Sequence, residues 1–183
     1  MALSARERVI STLERRGYDR IPVKHFGTPE INQQLMEYFG VKQHDQLLEM
    51  VGDDFRYVNP RYIGPELQSY PDGSWDGIFG ERYKNIAFPG GVYAEAVYLP
   101  FAGVEDVEEL DSLPMPSPQW YDYASVEEQC QKYAGYALIA GDPSTPDFIN
   151  GIARCRGVEQ VILDMGLKSP VFLELVERRF QFF

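Results

Sequence analysis

The sequence is poor in cysteine, histidine and basic residues. Its 183 residues include two cysteines, two histidines, and 17 lysines and arginines against 28 acidic residues, which gives a formal charge of −11. Such a negative field repels nucleic acid backbones and anionic lipids, so we expect neither partner. Cys130 and Cys155 form no Cys-x-x-Cys motif and no pair at metal-ligand spacing, and the N-terminus does not read as a signal peptide. This indicates reduced thiols in a cytoplasmic protein.

Long hydrophobic runs are also lacking. No apolar stretch approaches the roughly 20 residues that a membrane-spanning helix needs, so we expect a protein that does not enter a membrane. With 44% hydrophobic residues, the chain still has enough apolar side chains for one ordinary core. The sequence therefore predicts a single domain over residues 1–183.

What the sequence does contain is a repeated junction between a predicted strand and a predicted helix. Residues 21–31 read IPVKHFGTPEI and residues 137–149 read ALIAGDPSTPDFI. In each, an apolar run is followed by glycine, and Thr-Pro then supplies an N-cap and a first-turn proline. We expect strands ending at Phe26, Val58 and Ala140 to run parallel, the last one covered on both faces. The order predicts an α/β fold, either a doubly wound sheet or a (β/α)₈ barrel.

One region of the sequence does not follow this alternation of predicted strands and helices. Residues 70–101 alternate aromatic, charged and glycine residues with Asp-Gly and Gly-Gly turn signals, which predicts an inserted β-meander or hairpin. Helices are predicted at about 4–16, from Thr28 onward, at 104–113, from a Ser125–Glu128 capping box to 134, at 146–154, at 157–167 and from Ser169 onward.

Polar residues that follow the predicted strands are candidates for a functional site, because the carboxyl ends of parallel strands share one edge of a sheet. Helix N-termini at that edge would favour an anionic ligand. We take His25 and Asp142 as candidate catalytic residues, since an imidazole or a carboxylate placed there could accept a proton. Candidate substrate-binding residues are Thr28, Tyr57, Asn59, Arg61, Tyr62, Ser144 and Arg154, and we assign no metal ligand.

Each candidate also has a purely structural alternative. His25 could hydrogen-bond a loop carbonyl instead of a ligand. Arg61 could form an ion pair with Glu66 or Asp54. Asp142 could serve only as a cap or turn residue.

Several stretches of the chain resemble the uroporphyrinogen decarboxylase superfamily, which also contains corrinoid-linked methyltransferases. They read RERVISTLERRGYDRIPV, GDDFRYVNPRYIGPEL, YPDGSWDGIFGERY and CRGVEQVILDMGLKSPVFLELV. The resemblance implies a (β/α)₈ barrel, a fold that takes about 250 residues. Because the chain is shorter and its last predicted helix reaches Phe183 without a cap, we expect a partial barrel, the N-terminal part with the C-terminal part absent.

Within the superfamily, the resemblance leaves more than one function open. True uroporphyrinogen decarboxylases carry an arginine-rich loop after the first strand and an aspartate past the second, where this chain has Lys24–Pro29 and Asn59–Pro60. We therefore expect a methyltransferase-like member that moves a methyl group from a corrinoid to a thiol. Tetrapyrrole decarboxylation and a non-catalytic binding subunit are the alternatives.

The resemblance also implies cofactors and partners. We expect no cofactor to be bound by this segment. Zinc and a corrinoid would belong to the full-length protein, and its missing part would carry the zinc ligands. The expected partners are a small anionic or tetrapyrrole-like ligand and either a second copy of the chain, forming a homodimer, or a corrinoid protein.

Overall fold

A computed structural model describes residues 2–141 and 146–183, which form a mixed α/β structure. The helices are α1 (Ala5–Leu13), α2 (Pro29–Phe39), α3 (His44–Met50), α4 (Ser125–Lys132), α5 (Phe148–Arg156), α6 (Val158–Leu167) and α7 (Pro170–Phe182). The strands are β1 (Phe55–Val58), β2 (Arg61–Tyr62), β3 (Ser74–Asp76), β4 (Arg82–Phe88), β5 (Gly91–Tyr98), β6 (Tyr121–Asp122) and β7 (Ala137–Ala140). Within these described ranges, no helix combines the length and apolar character needed to cross a bilayer.

The chain divides into two compact units. Unit 1 comprises Met1–Arg61 and Asp122–Asp142, and unit 2 comprises Tyr62–Tyr121 and Pro143–Phe183. That residues 1–183 form one domain stays a prediction.

A parallel pair of strands forms the sheet of unit 1. β1 pairs with β7, with Phe55 opposite Ala137 and Val58 opposite Ala140. The prediction that the segments ending at Val58 and Ala140 run side by side in one direction is therefore confirmed. The described residues contain no closed barrel, and this sheet is two strands wide.

The predicted strand at residues 21–26 is wrong, although the segment does lie against the start of β1. Asp54 donates its N–H to the carbonyl of Val23 at 2.8 Å. The N–H of Val23 goes to the carboxylate of Asp54 at 2.8 Å, and the N–H of His25 goes to the carboxylate of Asp53 at 2.6 Å. Side-chain carboxylates thus take the donors that a strand ladder would use, so no strand forms.

Two further predictions about unit 1 are wrong. Leu138 and Ala140 are exposed, so β7 is not covered on both faces, because it lies at the edge of a two-stranded sheet. Ser125 opens no capping box. It is the first residue of α4, and its hydroxyl donates to the carbonyl of Asp122 at 2.6 Å and accepts from the N–H of Arg61 at 3.0 Å. The hydroxyl therefore links Asp122 to Arg61 and does not cap the helix.

The N-cap predictions for α1 and α2 are confirmed. Ser4 and Glu7 form a reciprocal capping box at the start of α1. Thr28 caps α2, with proline at the first helical position, and the helix ends at Gly40 with a left-handed φ of 67°. Both ends of α2 are therefore fixed by residue types that suit those backbone positions.

Unit 2 contains the predicted meander. β3, β4 and β5 form an antiparallel sheet in that order, which confirms the prediction for residues 70–101. Trp75 lies opposite Tyr83 across β3 and β4, and their rings stack with centroids 6.0 Å apart. This ring pair is a cross-strand contact of the kind that stabilises such sheets.

The hydrophobic core of unit 2 is built mainly by its helices and by the segment after β5. The predicted helix at 104–113 is instead a short 3₁₀ helix over Val107–Ser112. α5 begins at Phe148 behind the N-cap Asp147, two residues later than predicted, and α6 and α7 lie where the sequence indicates. The buried core residues are Phe79, Phe101, Val104, Leu110, Ile152, Cys155, Val161, Val171, Phe172 and Leu175.

Candidate functional site

The carboxyl end of β1 is where most of the predicted site residues of unit 1 are found. Tyr57 lies on β1, and Asn59 and Arg61 follow it directly. Because β7 is parallel to β1 and in register with it, β7 ends at the same edge. Asp142 and Ser144, which were predicted on the β7 side, lie outside the described residues.

His25 is held by both its backbone and its ring. Its N–H donates to Asp53 at 2.6 Å, and its Nε2 lies 2.7 Å from Oδ1 of Asn32. The amide nitrogen of Asn32 donates to the carbonyl of Gly27 at 3.0 Å, and this bond turns the amide oxygen toward the ring. The neutral imidazole therefore carries its proton on Nε2 and presents Nδ1 as an acceptor.

The contact between His25 and Asn32 depends on glycine at position 27. A Cβ on Gly27 would lie 2.5 Å from Oδ1 of Asn32 and 3.0 Å from Nε2 of His25. Sequence reasoning missed Asn32. Its place one turn after the Thr28 cap is the signal that could have found it, because helical side chains lean toward the N-terminus of their helix.

Tyr57 binds a cation through its ring. Nζ of Lys24 lies 4.6 Å from the ring centroid of Tyr57 and 5.4 Å from that of Phe26. Lys24 comes from the same loop as His25, so this contact joins that loop to β1. It brings a positive charge to the strand that ends at the candidate site, and sequence reasoning did not include Lys24.

The remaining predicted residues of unit 1 are engaged by local contacts. The hydroxyl of Thr28 accepts from the N–H of Ile31 at 3.4 Å and so caps α2. The backbone of Asn59 is tied to Gln129 on α4, whose amide accepts from its N–H at 3.2 Å and donates to its carbonyl at 2.8 Å. These bonds fix the loop that follows β1.

Arg61 forms an exposed ion pair. Its Nη2 donates to Asp122 at 3.1 Å, and 64% of its side chain remains accessible. The partner is neither Glu66 nor Asp54, the two alternatives that the sequence suggested. An exposed pair of this kind contributes only about 0–1 kcal/mol, so a ligand carboxylate could compete for the guanidinium.

Tyr62 and Arg154 belong to unit 2. The hydroxyl of Tyr62 donates to the carbonyl of Pro65 at 2.8 Å, and its ring packs edge-on against Trp120 with centroids 6.4 Å apart. Burial lowers the pKa of Arg154, but the nearby Tyr83 and a hydrogen bond with Tyr93 outweigh it and raise the value overall. Both predicted residues thus have partners within unit 2.

Buried ion pairs anchor the segment that carries His25. Asp54, only 1% exposed, accepts from Nη1 of Arg8 at 2.5 Å, from Nη1 of Arg20 at 2.7 Å and from the N–H of Val23 at 2.8 Å. Arg8 also donates to Asp19 at 2.6 Å, and this bond holds the pKa of Asp19 well below its usual range. Sequence reasoning assigned no role to these residues.

The described residues do not fit the zinc ion that the resemblance implies. Between residues 2 and 141 and between 146 and 183, no group of three or more His, Cys, Asp or Glu side chains could hold a metal. Cys155 is 1% exposed, and burial raises the pKa of its thiol to about 12. A cavity of about 10 Å³ beside it in unit 2 has room for a single water molecule at most.

Comparisons with known proteins reveal no relative of this chain. No protein-family model, no curated protein and no solved structure matches it.

Proposed function

We propose that unit 1 carries βα elements of a (β/α)₈ barrel of the uroporphyrinogen decarboxylase superfamily and that it binds a small anionic ligand at the carboxyl ends of β1 and β7. The observation that carries this proposal is the parallel, in-register pairing of these two strands. In barrels and doubly wound sheets the ligand site lies at this end of the strands. The loop from Lys24 to Thr28 would supply the polar side chains.

The reaction that we propose is methyl transfer to a thiol, by analogy with the corrinoid-linked methyltransferase branch of the superfamily. The loop at Lys24–Pro29 lacks the arginines that would bind a porphyrinogen with many carboxylates, and each lost charge-assisted hydrogen bond would cost about 1.5–3 kcal/mol. Asn59–Pro60 stands where a decarboxylase would have its aspartate. Because the described residues contain no group of side chains that could hold zinc, the roles proposed below belong to residues of this chain alone.

His25 would supply the proton chemistry. A thiol must lose its proton before its sulfur can attack a methyl group, and Nδ1 of His25, the ring nitrogen that does not contact Asn32, would accept that proton. Asn32 would hold the ring in the tautomer that keeps Nδ1 unprotonated. A positioned base of this kind contributes about 10²–10⁴-fold to a rate.

A direct assay tests this reaction. The purified chain is mixed with methylcobalamin and 2-mercaptoethanol, without added metal, and the methyl thioether is measured by mass spectrometry. We expect product above a protein-free control and a rate about 10²-fold lower for His25→Gln. The exposed His44 of α3 provides the matched control, because His44→Gln should leave the rate unchanged. Decarboxylated porphyrins formed from uroporphyrinogen, without any thioether, would favour the tetrapyrrole decarboxylase instead.

One observation favours a second candidate function, that of a non-catalytic subunit. In the described part of the chain, no strand pairs with the outer side of β7, and Leu138 on this strand is exposed. Unpaired edges of this kind recruit strands from other chains. If β7 pairs with a second copy, light scattering will find a dimer and Leu138→Lys will dissociate it, whereas a monomer at every concentration would contradict this function.

A further inference from the structure

Lys24 is fixed in place from both sides. Its two neighbours in the chain, Val23 and His25, donate their N–H groups to the buried carboxylates of Asp54 and Asp53, at 2.8 Å and 2.6 Å. These carboxylates are 1% and 5% exposed, so the anchors themselves have little freedom to move. The backbone that carries Lys24 is therefore held beside the start of β1, and its side chain reaches Tyr57, the last residue but one of this strand.

The ammonium group of Lys24 is oriented by two rings. It lies 4.6 Å from the centroid of Tyr57 and 5.4 Å from that of Phe26. Phe26 is 88% exposed, so the ammonium group beside its ring is open to solvent and to a ligand. Aromatic faces attract an ammonium group but accept none of its N–H bonds in the usual way, so those donors remain free for an oxygen ligand.

No carboxylate in residues 2–141 and 146–183 forms an ion pair with Lys24, whereas the cations of unit 1 nearest to the candidate site and its anchors are paired. Arg8 and Arg20 bind Asp54, and Arg61 binds Asp122. Among the residues that the structure describes, Lys24 is thus held in position without an ion-pair partner, while Arg61, the cation that the sequence favoured, already has an anionic partner.

We propose that Lys24 is the main cation that binds the carboxylate or phosphate of the ligand at the carboxyl end of β1. This inference rests on the proposed anionic site and identifies the residue that sets its specificity. Tyr57 and Phe26 act as positioning residues that hold the ammonium group in place. Arg61 makes a smaller contribution, because a ligand must first displace Asp122.

Calorimetric titration with citrate and with inorganic phosphate tests this assignment. We expect Lys24→Gln to weaken the binding of both probes at least tenfold and to reduce its dependence on salt, because one phosphate- or carboxylate-binding charge is removed. Lys24→Arg should stay within about threefold of the wild-type affinity, because it keeps the charge. Tyr57→Leu should weaken binding less than Lys24→Gln, because the charge remains but loses one ring contact.

Matched variants separate this inference from the proposed function. The exposed Lys42, which follows α2, provides a surface control, and Lys42→Gln should change the affinity less than twofold. Thermal unfolding by circular dichroism verifies that each variant is folded. If the wild-type chain binds citrate and Lys24→Gln binds it equally well, Lys24 has no such role, although the anionic site stands. If the wild-type chain binds neither probe, the anionic site itself is refuted.

Discussion

The two units of this protein bury different amounts of apolar side chain. The extended hydrophobic core lies in unit 2, where residues such as Phe101, Leu110 and Leu175 are almost completely buried. Among the described residues of unit 1, the buried charged side chains are Arg8, Asp53, Asp54 and Arg56, and the buried apolar residues are Val9, Leu47 and Val58. Unit 1 therefore depends on directional ion pairs and hydrogen bonds, whereas unit 2 depends mainly on apolar burial.

This difference bears on function. Buried ion pairs bring little net stability, because the desolvation of each charge offsets much of the attraction, but they fix geometry. In unit 1 they hold the backbone on either side of Lys24, next to His25. The unit with the weaker apolar core is thus the one in which the candidate site is held by polar contacts.

The contrast concerns apolar residues, because the described residues of unit 2 also bury charged side chains, namely Glu81, Arg156, Asp164 and Arg179. Arg156 donates to Asp164 at 2.5 Å and to the carbonyls of Phe101 and Val104, each at 2.9 Å. Arg156 and Asp164 are both buried. This pair joins α5 to α6 and to the segment after β5, and an apolar core surrounds it.

The largest expected effect comes from removing the central carboxylate of unit 1. Asp54→Ala would leave Arg8 and Arg20 without their shared partner, and loss of one member of a buried pair costs about 3–5 kcal/mol. Hydrogen exchange should show faster opening of unit 1 than of unit 2. Asp111→Ala, which removes a partner that is 75% exposed, is the control and should change the stability little. Equal hydrogen-exchange rates in both units after Asp54→Ala would contradict the claim that unit 1 depends on its buried ion pairs.

A core truncation should produce the opposite pattern. Leu110 is fully buried in unit 2, so Leu110→Ala is expected to cost about 2.7–5 kcal/mol through lost burial and a new cavity. Urea unfolding measures the loss, and hydrogen exchange should locate it in unit 2. Leu167→Ala is the matched control, because Leu167 is 78% exposed. A Leu110→Ala variant as stable as this control would show that the core of unit 2 is not well packed.

Acid should weaken the ion pairs of unit 1. The hydrogen bond from Arg8 lowers the pKa of Asp19 in the folded chain, so the stabilisation is fully present above the ordinary aspartate pKa of about 3.9 and is lost as the pH falls below it. The urea midpoint should therefore begin to drop near pH 5 and continue to fall below pH 3, because the pKa of Asp19 in the folded chain lies well below its ordinary value. Asp19→Asn should lower stability at pH 7 and flatten this dependence. An unchanged pH profile in Asp19→Asn would contradict the assignment.

The smallest effect on stability is expected at Arg61. Its ion pair with Asp122 is exposed, so Arg61→Ala should change the free energy of unfolding by no more than about 1 kcal/mol. The same variant should weaken citrate binding modestly, and less than Lys24→Gln does. A loss of stability comparable to that of Asp54→Ala would mean that Arg61 is a structural residue of unit 1.

Local signals in the sequence predicted local structure well. Thr28 followed by proline identified the start of α2, and Ser4 with Glu7 identified the start of α1. The turn signals within 70–101 identified the meander. These patterns succeed because capping and turn preferences act between residues close in the chain.

Contacts between distant residues explain the errors. The apolar run at 21–26 reads as a strand, but Asp53 and Asp54, about thirty positions later, take its N–H donors. Ser125 reads as a cap, but its hydroxyl is used by Asp122 and Arg61. The residue pattern within a segment does not indicate which distant side chain will form hydrogen bonds with its backbone.

The candidate site was predicted only in part for the same reason. The chain position of His25, just before a helix start, was visible in the sequence, whereas its partner Asn32 became apparent only from the fold of the loop. Lys24 was passed over because nothing in its local pattern indicates that Tyr57 lies against it. Asp142 and Ser144 remain predictions outside the described residues.

The most direct test of the proposed site is a citrate titration followed by ¹⁵N chemical-shift mapping, which compares the two units in one experiment. The amide shifts of residues 24–28 and 57–61 in unit 1 should move together and saturate, while those of the meander in unit 2 stay constant. In Lys24→Gln these shifts should need a higher citrate concentration. Shifts confined to unit 2, or absent throughout unit 1, would contradict a ligand site at the carboxyl end of β1.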